Sequence, residues 1–273
     1  MAAVTQNLHT HSTFCDGKNT IGEMARAAYD AGFKSLGFSS HAFTPHDTSY
    51  CMKLSDYESY RSEILRLREQ YKGRMDIFVG LEQDYFAVKP TIKTDYLIGS
   101  VHYVEKNGEY IPVDETREDI ERAVSRLYGG DIYAFLEDYF ALVSDVKNRM
   151  YCDIAGHIDL CEKFNGDGTL FDRTHPRYTA AYRAAVKKLC AEGCTFEINT
   201  GAMSRGYTDF PYPNESVLRF IRECGGRIIL SSDSHSADTV GYKLAEMCSC
   251  AAQCGFTERY ELSESGGFAA VKL

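Results

Sequence analysis

Short apolar runs alternate with longer stretches of helical periodicity along the chain. Seven runs read as strands: Val4–His9, Ser35–Ser39, Ile77–Leu81, Tyr96–Val101, Asp153–Gly156, Thr195–Ile198 and Arg227–Leu230. Helical patterns fill most of the gaps. Thr20–Ala31 opens with a Thr cap and Glu23 three residues on, a capping-box pattern, and Gly32 ends it. Ser55–Gln70 spaces Tyr57, Tyr60, Ile64 and Leu67 near a helical turn. Ile132–Met150, Pro176–Glu192, Glu215–Cys224 and Thr239–Gln253 complete the series, while the segment before Tyr96 carries no clear helix. Strand–helix alternation of this kind predicts an α/β fold, a parallel sheet with helices packed outside. Seven strands in one series suit a barrel better than two sheets, with an open doubly wound sheet as the alternative.

Composition narrows the class. The 273 residues are 44% hydrophobic and 25% charged, the profile of an ordinary globular protein. α/β barrels of this length are routinely one domain, so a single domain over residues 1–273 is expected. The net charge of −9, from 39 acidic and 30 basic residues, argues against nucleic acid or an anionic membrane as partner. No apolar run approaches the roughly 18 residues of a membrane-spanning helix. Met1–Thr10 has no basic segment followed by an apolar one, so no secretory signal is expected. A cytoplasmic location follows, with the ten cysteines as free thiols. Cys248, Cys250 and Cys254 do not converge on a helix and read as small buried residues.

The eight histidines change the picture. His9 and His11 end the first apolar run; in an extended strand, side chains two apart share a face about 7 Å apart. Asp16 follows in an Asp-Gly turn. His41 follows the second strand, Glu82 the third, His102 the fourth and His157 the fifth, and Asp233 and His235 follow the last. Each alone has a structural explanation, as a cap or a satisfied polar group. Together they place six histidines and three carboxylates where strands run out, and in a parallel barrel those ends share the face that carries the active site. His46 lies in a turn-rich loop and is expected to rim the site; His175, before Pro176, reads as a helix cap.

Nine nitrogen and oxygen ligands exceed what one catalytic zinc takes. They suit two or three divalent ions, with a carboxylate such as Glu82 as bridge. Mixed imidazole and carboxylate favours Zn, Mn or Fe over Mg or Ca.

The motifs His9-Thr-His11 with Asp16-Gly17, Ser40-His41, Gly80-Leu81-Glu82, Gly99-Ser-Val-His102-Tyr103, Gly156-His157 and Ser232-Asp-Ser-His235 resemble the polymerase-and-histidinol-phosphatase (PHP) family. The histidinol-phosphate phosphatase branch matches best, with Asp95-Tyr96 and Glu197-Ile-Asn199-Thr200 in addition. The resemblance runs from about His9 to His235. It implies a distorted (β/α)7 TIM-like barrel with a trinuclear metal centre. One ion would be held by His9, His11, Glu82 and Asp233. Glu82 would bridge to a second, held also by His102 and His157. The third would take Asp16, His41 and His235.

The reaction implied is hydrolysis of a small phosphate monoester, L-histidinol phosphate in histidine biosynthesis, with a metal-bridging hydroxide attacking phosphorus in line. Arg205 resembles the family's phosphate-binding arginine, whose planar fork holds phosphate bidentately. Lys163 is expected to assist; related sequences often carry a second basic residue beside it, where this chain has Glu162. Asp233 is assigned the proton for the leaving alcohol. Pocket shape is expected from the loops Phe43–Lys53 and Arg117–Gly130. The alternatives are a PHP phosphoesterase with another small substrate, a metallohydrolase cleaving C–N bonds, or a non-catalytic PHP binding domain. A C–N hydrolase of this kind favours a bridging Lys, and no Lys occupies a strand-end ligand position. Oligomeric state is left open.

Overall fold

The computed structural model describes residues 3–273. Its strands are β1 (Gln6–Asn7), β2 (Ser35–Phe38), β3 (Asp76–Asp84), β4 (Tyr96–Ser100), β5 (Tyr103–Lys106), β6 (Glu109–Pro112), β7 (Ile154–Ala155), β8 (Thr195–Asn199), β9 (Arg227–Ser231), β10 (Glu258–Leu262) and β11 (Phe268–Lys272). The helices are α1 (Ile21–Asp30), α2 (Tyr57–Tyr71), α3 (Arg117–Leu127), α4 (Ile132–Val143), α5 (Val146–Met150), α6 (Pro176–Ala191), α7 (Gly201–Ser204), α8 (Glu215–Glu223) and α9 (Leu244–Gln253). Seven strands form one sheet in the order β1-β2-β3-β4-β7-β8-β9, parallel at every ladder. It curls into a nearly closed barrel with helices around it. Beyond the C-terminal ends of β1 and β9, His11 N donates to Ser234 O at 2.9 Å and Ser234 N to His9 O at 3.2 Å. No described helix is long and apolar enough to cross a membrane.

At the other end of the β1–β9 seam, the β10–β11 hairpin packs in. Gln6 Nε2 donates to Leu262 O at 2.9 Å, and Leu262 N returns a bond to Gln6 Oε1 at 2.7 Å. The hairpin's Arg259 is buried, with Nη2 donating to Ala3 O at 3.0 Å and pairing with Glu261. The barrel interior is filled by Leu8, Phe78, Tyr96, Ile98, Ile154, Ile229 and Leu262. Full burial of aliphatic or aromatic side chains like these stabilises by roughly 1.5–3 kcal/mol each. Tyr96 spans the interior, donating to Leu8 O and lying 3.2 Å from Phe38 O. Its ring fits because Gly80 faces it; a Cβ there would come 2.3 Å from the ring. Gly80→Ala would overpack this layer, a fault that typically costs about 1–3 kcal/mol.

Local rules place the outer helices. Thr20 and Glu23 form the expected capping box on α1. Asn214 caps α8 by accepting from Ser216 N at 3.0 Å and Val217 N at 3.3 Å, a bond worth about 1 kcal/mol. His175 caps α6 as expected and stacks on Tyr133.

Several boundaries differ from the sequence expectation. The first strand is only Gln6–Asn7, so His9 and His11 leave the ladder and sit in the turn beyond it. The expected helix Ile132–Met150 breaks after Val143, where Ser144 Oγ bonds back to Ala141 O. The helix expected from Thr239 starts at Leu244, because Gly241 and Lys243 adopt left-handed backbone. Arg117–Gly130, expected as a pocket loop, is helical over Arg117–Leu127, capped by the Thr116 side chain on Asp119 N. Two hairpins were not expected. β5–β6 turns on Asn107-Gly108, both at positive φ, the pattern that favours a tight hairpin.

Candidate metal centre

All nine expected residues converge at the C-terminal mouth of the barrel. His9 and His11 follow β1, His41 follows β2, Glu82 lies within β3, His102 follows β4, His157 follows β7, and Asp233 and His235 follow β9. His41 bridges to Glu82 between strands, which aligns the ends of β2 and β3. Glu82 is the hub. Its Oε2 lies 2.9 Å from His41 Nδ1, 3.2 Å from His9 Nε2 and 3.5 Å from His11 Nε2. Its Oε1 lies 2.9 Å from His157 Nε2 and 3.4 Å from His102 Nε2. Asp233 Oδ1 lies 3.1 Å from His11 Nε2. Asp16, more exposed, faces His235 Nε2 at 3.2 Å and His41 Nε2 at 3.8 Å. Four groups have ligand atoms within 4.8 Å of one another: His11, Asp16, His41 and His235; His9, Glu82 and His157; His9, His11 and Asp233; His41, Glu82 and His102.

The donor set fits divalent cations. His9 Nε2, His11 Nε2, His41 Nδ1 and Glu82 Oε2 are buried with no hydrogen-bond partner, and they face one another. An unpaired buried polar atom typically costs about 1–3 kcal/mol, and several facing lone pairs are relieved together by one cation. Burial pushes the Glu82 carboxyl up, but His41, His9 and His102 outweigh it and hold it well below the usual carboxylate range. Burial and the neighbouring His235 and His41 rings push His11 down to about 3. The facing carboxylates outweigh burial at His9, His41 and His102 and push these rings up instead, so a cation ligated by the neutral imidazoles would displace protons from them.

Backbone geometry serves the cluster. Asp233 holds φ +48°, the left-handed region that only short polar side chains and glycine adopt readily. Its Oδ1 faces the imidazoles, while Oδ2 lies 3.2 Å from Arg205 Nη2. Gly201 makes room: a Cβ there would meet Asp233 Oδ2 at 2.5 Å.

The cluster forms part of the wall of a cavity of about 660 Å³. Arg205, a third exposed, reaches it with Nη1 2.9 Å from His235 Nδ1. Lys163 lines the same cavity, its Nζ donating to Asp114 O and lying 4.5 Å above the Tyr207 ring. Glu162, beside Lys163 in sequence, is not in the cavity. It is fully buried, accepting from Arg173 Nε at 2.7 Å and Tyr178 Oη at 2.7 Å, so no carboxylate from that position faces a bound anion. His46 does not line the cavity either; it stacks on Tyr110 with ring centroids 3.9 Å apart, and Asp47, Ser49 and Tyr50 form that wall.

Lys18, Asp84 and Glu197 stand outside the nine strand-end residues and also serve the site. Lys18 brings a third cation to the cavity wall, two residues after Asp16. Asp84 accepts from His102 N at 3.0 Å; its signal was the two-residue spacing from Glu82 on one strand face. Glu197, in the middle of β8, accepts from His9 Nδ1 at 2.6 Å.

Comparison with known proteins agrees with this architecture. The PHP domain family model matches residues 7–201. A protein named "Probable histidinol-phosphatase" from Deinococcus radiodurans is 30% identical over 249 residues, 87% of this chain and 89% of the relative. The histidinol-phosphatase of Bacillus subtilis is 26% identical over 262 residues, 86% and 94% of the two chains. The crystal structure of the Lactococcus lactis histidinol phosphate phosphatase, complexed with zinc, L-histidinol and phosphate, superposes with a TM-score of 0.68 at 20% identity, covering 95% of this chain and 97% of that one. With that family match over most of its length, this chain belongs to the PHP domain family.

Proposed function

We propose that this protein is a metal-dependent phosphoric monoester hydrolase that converts L-histidinol phosphate and water to L-histidinol and phosphate. The observation that carries the reading is the convergence of Glu82 and eight further imidazole and carboxylate residues at the mouth of the barrel, with Arg205 and Lys163 in the same cavity. The relatives named histidinol-phosphatase, aligned over most of their length, support the substrate. Two or three divalent ions among Zn, Mn and Fe suit the donor set. They would be held by His9, His11, Glu82 and Asp233, by Glu82, His102 and His157, and by Asp16, His41 and His235. Bound there, such ions supply Lewis-acid charge and make water a nucleophile at neutral pH.

The protein's own groups do the rest. The Arg205 guanidinium and Lys163 ammonium hold the phosphoryl oxygens and neutralise charge that grows on them in the transition state. Burial pushes the Asp233 carboxyl up, but His9, Arg205, His11 and His235 outweigh it and keep it ionised. Asp233 therefore delivers a proton to the leaving alkoxide only after it has taken one from the attacking water. The test is metal analysis of the purified protein, then phosphate release from a panel of esters that includes L-histidinol phosphate. The expected result is bound transition metal and preferred turnover of that ester. Turnover of other phosphate esters alone would remove the substrate assignment, and turnover of amides alone would replace the reaction class.

A further inference from the structure

Glu197 is fully buried, and the mechanism above does not use its side chain. Four donors converge on it. Oε1 takes His9 Nδ1 at 2.6 Å and the Ser231 hydroxyl. Oε2 takes His157 N at 2.9 Å and Asn199 Nδ2 at 3.0 Å. These donors come from the turns after β1 and β7 and from β8 and β9, so one carboxylate ties together four strand ends.

An ionised carboxylate only accepts. In a His9 ring that ligates a cation and so carries a single proton, that proton must sit on Nδ1 facing Glu197, which leaves the lone pair on Nε2. That Nε2 is buried, has no hydrogen-bond partner, and lies 3.2 Å from Glu82 Oε2 and 3.6 Å from Asp233 Oδ1. We propose that Glu197 is a positioning residue that fixes His9 as an Nε2 ligand, through the bond from His9 Nδ1, and so sets the affinity of the ion shared by His9, Glu82 and Asp233. This inference rests on the metal-centre reading.

The donor pattern makes a sharp demand on the amide variant. In Glu197→Gln, an NH2 at the Oε2 position would meet two donors, His157 N–H and the Asn199 amide. The NH2 therefore turns to the Oε1 position, where the Ser231 hydroxyl can rotate to accept. There it donates to His9 Nδ1 and drives the ring proton to Nε2, which blocks ligation.

The experiment titrates wild type, Glu197→Gln and Glu197→Asp with zinc against a chromophoric chelator, and reads the His9 ring nitrogens by 15N NMR. Loss of an outer partner to a metal-bound histidine typically weakens binding 10–100-fold. That loss is expected in Glu197→Gln for one class of zinc, while the class held by Asp16, His41 and His235 stays within about twofold. His9 should show a protonated Nδ1 in zinc-loaded wild type and a protonated Nε2 in Glu197→Gln, and Glu197→Asp should keep the wild-type pattern. Unchanged affinity, or equal weakening of every class, overturns the proposal. Should Glu197→Gln fail to fold, the wild-type spectrum still decides, since a protonated Nε2 on His9 overturns it. Wild type that binds no zinc overturns the metal-centre reading and this inference together, whereas wild type that binds zinc with His9 in the other tautomer overturns only the inference.

Discussion

Glu82 Oε1 lies 2.9 Å from His157 Nε2, although 75 residues separate the two. Its other oxygen faces His9, His11 and His41, and Oε1 also faces His102, so this carboxylate joins imidazoles from four strand ends of the barrel. Glu82→Gln keeps the shape and removes the charge. Loss of outer-shell partners costs 10–100-fold, so removing the shared ligand is expected to lower kcat/KM by more than about 100-fold. Bound metal per chain should fall with it. Full metal content with full activity would sink the bridging assignment.

Arg205 pairs with Asp233 and His235 at the cavity wall. A guanidinium fork and an ammonium are not interchangeable in such a site. Arg205→Lys is expected to lower kcat/KM about 10–100-fold, the range of one to two charged hydrogen bonds. Competitive inhibition by inorganic phosphate should weaken in step while metal content stays near wild type. Metal loss without a change in phosphate inhibition would show that Arg205 serves the ligands instead.

Chelation should remove both activity and stability. An ion that binds only the folded state stabilises it by about 2.7 kcal/mol at a hundredfold excess over Kd. In a chain of this size that is on the order of 5–10 °C in Tm per ion. Differential scanning fluorimetry with and without a chelator measures it, and re-addition of zinc, manganese or iron should restore Tm and turnover together. An unchanged Tm after complete metal removal would contradict the reading of the unpartnered buried atoms.

Far from the cavity, burial and the facing Glu264 carboxylate push Asp76 up to about 6. The unfolded chain titrates this group near 3.9. A folded value above the unfolded one gives a contribution complete below about 3.9 and lost as pH rises through about 6. Asp76→Asn, which cannot ionise, should therefore gain Tm relative to wild type between pH 4 and pH 7. A difference that does not change with pH would remove the carboxylate pair as its cause.

Gly201 leaves room for the Asp233 carboxylate. Gly201→Ala pushes a methyl against Asp233 Oδ2 and Arg205, so turnover should drop more than tenfold, a loss equivalent to about 1.4 kcal/mol. Stability should fall by about 1–3 kcal/mol, because Gly201 is buried and the methyl overpacks the site. Crystallography or metal titration of the variant would locate the shift; wild-type turnover would show that the loop yields instead.

The sequence by itself determined the series of parallel strands, the capped helices and the row of imidazoles and carboxylates at strand ends. These are local properties: periodicity, a Thr-x-x-Glu cap, a His or Asp where an apolar run stops. Each is written in a few contiguous residues. The tertiary structure alone decided what those residues meet. Glu82 becomes the hub because the ends of β1, β2, β4 and β7 bring their imidazoles around β3. Glu162 turns into the core because Arg173 and Tyr178 wait there, although its neighbour Lys163 faces the cavity. Glu197 meets His9 across 188 residues, and Gln6 meets Leu262 across 256. Pairings at such separations are selected by barrel closure and by the burial of unpaired polar groups. No window of sequence contains both partners, so only the folded chain states them.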